Sequence, residues 1–311
     1  MSFDVKLYRG GSYRNPTVAP EKIYVAGGCS PLYNKVIVFD MDETLGHFNE
    51  MIELMKALQI VNSMYSNGSA TPIFPIDEQV FFNTVMDLYP EFLRKGIIHI
   101  LEFVLQKKQG ANIGHYLYKI YMYTNNIYSP EFPQKISRYI DYRLNVSDFF
   151  DKLICAFKIN GVVIEPLRTT HKKTYSDFIN CTMLPKHTEI CYIDDTYYDT
   201  MRNKKIYYIH PYFYHHGMTK EAIIHRFINS HLFHKHTIHL SDNIINEIHS
   251  VITGCFATFK NYNKSSAEYK NDITVSQKIS YHVKEFFYMT TRKTKTKKNK
   301  KMYSRFTKKK K

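Results

Sequence analysis

Lys35-Val36-Ile37-Val38-Phe39-Asp40-Met41-Asp42-Glu43-Thr44-Leu45 is the stretch on which the fold turns. Its first half is a short, almost wholly apolar and β-branched run that stops abruptly at acidic residues. A run of that length suits a strand buried on both faces, as in parallel sheets. Similar runs recur at 118–123 (Tyr-Lys-Ile-Tyr-Met-Tyr), 153–157 (Leu-Ile-Cys-Ala-Phe), 190–193 (Ile-Cys-Tyr-Ile) and 206–209 (Ile-Tyr-Tyr-Ile). Between and after them lie helical patterns at 91–107, 134–144, 172–180, 219–231 and 241–253. Alternating strands and helices predict an α/β fold, with a doubly wound parallel sheet covered on both faces. Ligands of such sheets bind outside the carboxyl ends of the strands, so the residue after each strand is where chemistry is sought.

Asp40 and Asp42 are the first such residues. Side chains at i and i+2 share a face, so both carboxylates can enter one crevice at the end of the strand. One could attack phosphorus while the other handles the leaving group's proton, with a hard Mg²⁺ ion offsetting their repulsion. Taken alone, D-x-D reads equally as a strand running into a solvated acidic turn. Thr124-Asn125-Asn126 closes the second strand, where a hydroxyl and backbone N–H groups can grip a phosphate oxygen. Asp194-Asp195-Thr196 closes the fourth, as metal ligands or a helix cap. His171-Lys172-Lys173-Thr174 opens a helix, and cations there run against the macrodipole, which favours a functional reason for a lysine. Four weak signals at four correct positions reinforce one another.

Together these motifs resemble the haloacid dehalogenase superfamily, and within it the carboxy-terminal-domain phosphatase (NLI-interacting-factor-like) family. That family's first motif is D-L-D-E-T-L-V-H. Asp40-Met41-Asp42-Glu43-Thr44-Leu45-Gly46-His47 agrees with it at six of eight positions. Arg94-Lys95-Gly96 resembles its R-P-G, Lys173-Thr174-Tyr175-Ser176 its K-D-L-S, and Asp194-Asp195 its acidic pair. The resemblance spans about residues 34–215 and extends to variants from large DNA viruses, which often end in lysine-rich tails. Gly46 and Lys95 depart from the family pattern, and the segment after the first motif does not match its best-known members.

The resemblance implies Asp40 as nucleophile and Asp42 as acid and base. Mg²⁺ would be held by Asp40, the Asp42 carbonyl and Asp195 or Asp194. Thr124, Asn125 and Lys173 (or Lys172) would clamp the phosphoryl group, with Thr44 fixing the loop. The implied substrate is a phosphorylated protein at Ser or Thr; a polynucleotide 3′-phosphatase and a non-catalytic binding module are the alternatives.

Net charge is +15, but twelve cationic residues and no acid fall in 292–311, leaving only +3 on the rest of the chain. The basic character therefore belongs to the tail, which is read as disordered over 291–311 and as a contact for nucleic acid or another polyanion. Residues 1–30 read as an irregular leader, 31–235 as the phosphatase domain with an insert at 50–88, and 236–290 as a mostly helical extension. An insert of that length reads as a lid or flap. Five scattered cysteines without a C-x-x-C pair argue against a disulfide framework or zinc ribbon. With no apolar run of membrane-spanning length and no secretory signal, an intracellular protein is expected, cytoplasmic, nuclear or virion-associated. His231, His234, His236 and His239 are close enough to invite a zinc reading, but a polar helix-to-loop segment accounts for them better.

Overall fold

The computed structural model describes residues 6–9, 33–65, 72–111, 116–185 and 188–307. A short strand β1 (Lys6–Arg9) is followed by β2 (Tyr33–Phe39), then helices α1 (Asn49–Tyr65), α2 (Gln79–Leu88) and α3 (Ile97–Ala111). Next come β3 (Tyr116–Tyr123), α4 (Phe132–Leu144), β4 (Lys152–Ile154) and a hairpin of β5 (Lys158–Ile159) and β6 (Val162–Val163). The chain continues through α5 (Tyr175–Thr182), β7 (Glu189–Ile193), β8 (Ile206–His210), α6 (Lys220–Ile228), α7 (His231–Thr237), α8 (Asp242–Cys255) and α9 (Ser266–Thr307).

The main sheet has the order β1-β8-β7-β2-β3-β4. β2 pairs in parallel with both β3 and β7, β3 with β4, and β7 with β8; β1 alone is antiparallel. The chain leaves β2 toward β3 and β4, then returns to β7 on the other side and moves outward to β8. The switch point of this doubly wound sheet therefore lies between β2 and β7, where a crevice opens at their carboxyl ends.

Period-2 alternation assigns the two faces. Ile37, Phe39, Ile120, Met122, Cys191, Ile193, Tyr207 and Ile209 join one apolar cluster with α1–α4 and α6–α9. Val36, Val38, Tyr121, Tyr123, Ile190, Tyr192, Ile206 and Tyr208 join a second with Phe178 and Cys181 of α5. Val36–Phe39 are at most 1% exposed, and side chains so buried contribute about 1.5–3 kcal/mol each. This dry strand delivers Asp40 to its position. Thr174 caps α5 by accepting the Asp177 N–H at 3.0 Å, which fixes the entry of the chain immediately after Lys173.

Two expectations change. Lys6–Arg9, placed in the irregular leader, is an antiparallel strand on the open edge of β8; four residues are too few to show a period, and an unpaired edge accepts them. Residues 10–32 lie outside the described residues. The insert expected after the first core strand is present: α1 and α2 follow β2 and bury Leu54, Leu58, Val61, Phe82 and Val85 in the main core. The segment read as a disordered tail has a helical backbone through Thr307. Lysine and arginine propagate a helix well once a packed segment has nucleated it. That segment is Val275, Ile279, Val283, Phe286 and Phe287, all buried in the same core as α1. Among the described residues no helix is long and apolar enough to cross a membrane.

Candidate active site

Asp40 follows β2 directly, its N–H donating to the Ile193 carbonyl at 2.9 Å, and the residue is 6% exposed. The Lys173 ammonium donates to Asp40 Oδ1 and, at 2.7 Å, to Asp194 Oδ2. Asp194 is saturated: Tyr192 donates to Oδ2 at 2.5 Å and the Thr196 N–H to Oδ1 at 2.9 Å. Asp195 accepts from Thr44 Oγ1 at 3.0 Å, while its own N–H donates back to that hydroxyl at 3.0 Å. Thr44 thus ties the loop after β2 to the loop after β7. Lys172 is exposed and Lys173 buried, so it is Lys173 that reaches the carboxylates.

Asp42 stands at the rim, with both carboxylate oxygens accepting from Asn126 Nδ2 at 3.2 and 3.1 Å. Asn126 is a partner that the sequence reading passed over in favour of Asn125. Asn125 is turned elsewhere, Oδ1 accepting from Arg168 at 2.7 Å and Nδ2 donating to Tyr198 at 3.3 Å. What Asn125 leaves to a ligand is its backbone N–H. Thr124 is fully buried, and its hydroxyl accepts the Asn126 N–H at 2.9 Å.

The loop carrying the two aspartates is clamped from below. Arg94, 2% exposed, donates from Nε to the Thr44 carbonyl at 2.7 Å and from Nη2 to the Tyr212 carbonyl at 2.9 Å and the Glu43 carbonyl. Glu43 takes a left-handed φ of 54°. Gly46 has no room for a side chain: a Cβ there would lie 2.3 Å from the Phe92 carbonyl oxygen and 2.6 Å from the Phe48 ring. The departure from valine at this position is therefore imposed by Phe48 and Phe92 beside it.

Burial dominates the electrostatics. It raises the Asp40 carboxyl well above its usual range against the opposing pull of Lys173. Asp42 is pushed up to about 6, by burial and then by Glu43. Asp195 is pushed up to about 7, by burial and then by Asp194 and Glu43. Burial acts to lower the Lys173 ammonium, but Asp194 and Asp40 together hold it above its usual value. Ligand oxygens of Asp40, Asp194 and Asp195 lie within 4.8 Å of one another. Crowded hard oxygen donors that repel one another suit Mg²⁺ better than a soft transition metal.

A second convergence sits behind the loop. His47 bridges two carboxylates, Nδ1 at 2.9 Å from Glu43 and Nε2 at 3.2 Å from Glu50. His216 Nε2 lies 3.0 Å from Glu50, and His215 Nε2 3.9 Å from it. Nδ1 of His215 accepts the Gly217 N–H at 3.0 Å, and Nδ1 of His216 the Met218 N–H at 2.9 Å. In the neutral rings the proton is therefore on Nε2, facing Glu50 as a donor, where a metal would need a lone pair. Glu43, His47, Glu50 and His216 form a charge network that braces the loop, and it does not carry a zinc assignment. His231, His234, His236 and His239 belong to no such cluster among the described residues; His236 instead contacts the Phe74 and Phe81 rings. Cys155 and Cys191 are buried free thiols, as their apolar runs predict.

Of the expected site residues, Asp40 and Asp194 are joined by Lys173, Thr44 is hydrogen-bonded to Asp195, Asp42 and Thr124 both contact Asn126, and Asn125 contacts Arg168. Arg168 had no signal, being a lone cation in a polar loop. No family model, curated protein or solved structure matches this chain. The doubly wound sheet and the Asp40/Asp194/Asp195 cluster at its switch point are consistent with a haloacid dehalogenase-like hydrolytic site.

Proposed function

We propose that this protein is a Mg²⁺-dependent phosphatase of the carboxy-terminal-domain phosphatase type, working through an aspartyl-phosphate on Asp40. The observation that carries the reading is the placing of two carboxylates, two residues apart at the end of the central strand, against different partners: Asp40 against Lys173, and Asp42 at the rim against Asn126. Asp40 sits against the Lys173 ammonium at the end of the central strand, while Asp42, two residues on, is raised to about 6 by burial and Glu43. A carboxyl whose pKa lies near neutrality can hold a proton for a leaving group and take one back from water.

In this mechanism an Asp40 oxygen attacks phosphorus in line, and the bond to the leaving oxygen breaks as Asp42 protonates it. Asp42 then removes a proton from water, which attacks phosphorus and releases Asp40 and inorganic phosphate. Lys173 and the Thr124–Asn125 backbone bind and orient the phosphoryl oxygens, where stabilising spread charge does most of the work. Asp40, the Asp42 carbonyl and Asp195 would hold Mg²⁺, with Asp194 committed to Lys173. When bound there, the ion neutralises phosphate charge and offsets the repulsion among the carboxylates.

The substrate proposed is a phosphoserine or phosphothreonine protein. The decisive assay sets a phosphopeptide library beside 3′-phosphorylated oligonucleotides, both with Mg²⁺. Faster turnover of phosphopeptides supports the reading, and preference for oligonucleotides would make the protein a polynucleotide 3′-phosphatase. The twelve cationic residues of 292–311 favour that second reading, but they lie outside the α/β core that carries the site.

A further inference from the structure

Arg168 lies in the loop between the β5–β6 hairpin and α5, yet it is only 2% exposed, among the most buried large side chains of the protein. Its Nη1 donates to the Thr124 carbonyl at 3.2 Å and the Cys155 carbonyl at 2.7 Å, joining the chain just after β3 to the chain just after β4. Its Nη2 donates to Asn125 Oδ1 at 2.7 Å and to the carbonyls of His171 at 3.1 Å and Thr170 at 3.4 Å, on the approach to Lys173. The guanidinium also lies over the Tyr123 ring, 4.9 Å from its centroid. One planar fork therefore ties three chain segments, at Thr124–Asn125, at Cys155 and in the turn before Lys173, and the first and last of these would meet a phosphoryl group.

The charge balance of this arrangement is unusual. Among the described residues Arg168 has no carboxylate within ion-pair distance, and its buried Nε has no partner. Buried cations are ordinarily paired, because desolvation is otherwise uncompensated. Five neutral oxygens leave its positive charge in place. Lys173, a second buried cation of the site, is already shared between Asp40 and Asp194. An arriving phosphoryl dianion would meet Lys173, with Arg168 held behind the Thr124–Asn125 backbone; like Arg94 beneath the loop after β2, Arg168 is bonded to neutral oxygens and not to a carboxylate.

We propose that Arg168 is the positioning residue of the phosphate subsite. It holds the Thr124–Asn125 backbone and the Lys173 approach in the anion-binding conformation and supplies a fixed positive charge behind them. Lysine cannot replace it, since a point charge cannot satisfy carbonyls on three segments at once. The inference rests on the phosphatase reading for the identity of the anion.

The test compares wild type with Arg168→Lys, Asn125→Ala and the double variant. It reads KM and kcat for p-nitrophenyl phosphate, the inhibition constant of orthophosphate, and the circular dichroism melting curve. Arg168→Lys is expected to raise KM and the orthophosphate constant about tenfold or more while kcat per folded molecule changes less, because a displaced binding group costs on that order. Asn125→Ala should raise the same constants, and the double variant should be no worse than Arg168→Lys, since the two act through one hydrogen bond. A purely structural Arg168 would lower the melting temperature and leave both constants unchanged; that result overturns the proposal. Should Arg168→Lys fail to fold, unchanged constants in Asn125→Ala overturn it equally. If wild type hydrolyses no phosphomonoester, the phosphatase reading fails, and calorimetric titration with orthophosphate then decides the subsite. Binding weakened in Arg168→Lys supports it, and absence of binding to wild type sinks it.

Discussion

Asp40 and Asp42 are separated by one residue and meet different partners, Lys173 for the first and Asn126 for the second. Asp40 faces Lys173, so Asp40→Asn removes the attacking oxygen and leaves Lys173 with Asp194 as its carboxylate partner. Turnover should vanish while the circular dichroism spectrum stays that of wild type; substantial residual hydrolysis of p-nitrophenyl phosphate would exclude the covalent route. Asp42→Asn keeps the size of the side chain but not the proton it transfers, and kcat should fall by roughly 10²–10⁴. EDTA should silence the enzyme and Mg²⁺ restore it. Restoration by Zn²⁺ alone would move the metal to the His47–Glu50–His215 cluster, against the tautomers inferred there. At this scale the sequence showed the acids, because D-x-D-x-T at a strand end is a local pattern. It did not show Asn126 or Arg168, which act by reaching back across the fold to partners 84 and 43 residues away. No local spacing records such contacts.

Strands and helices were legible in proportion to how dry or how periodic they were. β2, β3, β7 and β8 are buried on both faces and stood out as continuous apolar runs, whereas four-residue β1 and the helical course of 266–290 did not. In α9 the buried positions Val275, Ile279, Val283 and Phe286 do recur at helical spacing, but Ser, Gln, Lys, His and Glu between them dilute the stripe. Its attachment is firm: the buried Lys35 ammonium of β2 donates to the Phe286 carbonyl, and Tyr207 of β8 lies 3.0 Å from His282. Phe286→Ala should accordingly cost about 3–5 kcal/mol in urea unfolding; a cost below about 1 kcal/mol would mean that α9 is an appendage. The histidine network makes a separate, pH-dependent claim. Burial pulls the His47 ring down, but Glu43 and Glu50 overcome this and raise it to about 9. A folded pKa above the unfolded value near 6.5 gives stability that is fully present below about 6.5 and is lost as pH rises through about 9. The melting temperature should therefore fall between pH 7 and 9.5, by an amount on the order of 2 kcal/mol in stability. Glu50→Gln should flatten that slope, and a wild-type melting curve level across the interval would refute the network.

The whole molecule divides chemistry from charge. The candidate site is carried by a nearly balanced α/β body, while twelve of the chain's cationic residues lie beyond residue 291, past Phe287, the last buried residue of α9 among the described side chains. Truncation after Thr290 keeps the described contacts that anchor α9 to the sheet, Lys35 to Phe286 and Tyr207 to His282, so hydrolysis of a small phosphoester should change by less than about twofold. Binding of DNA, RNA or another polyanion should be lost in the same variant. In the full chain it should weaken steeply with salt: six neutralised phosphates give a log–log slope of about −5, a loss near 10³-fold between 50 and 200 mM. Small-substrate turnover and polyanion binding, measured across that range for both proteins, separate the possibilities. Lost turnover on truncation would make the last turns of α9 part of the active fold. Binding that survives truncation and ignores salt would instead put a nucleic-acid surface on the body itself, and a 3′-phosphorylated polynucleotide would displace the phosphoprotein as the substrate to pursue.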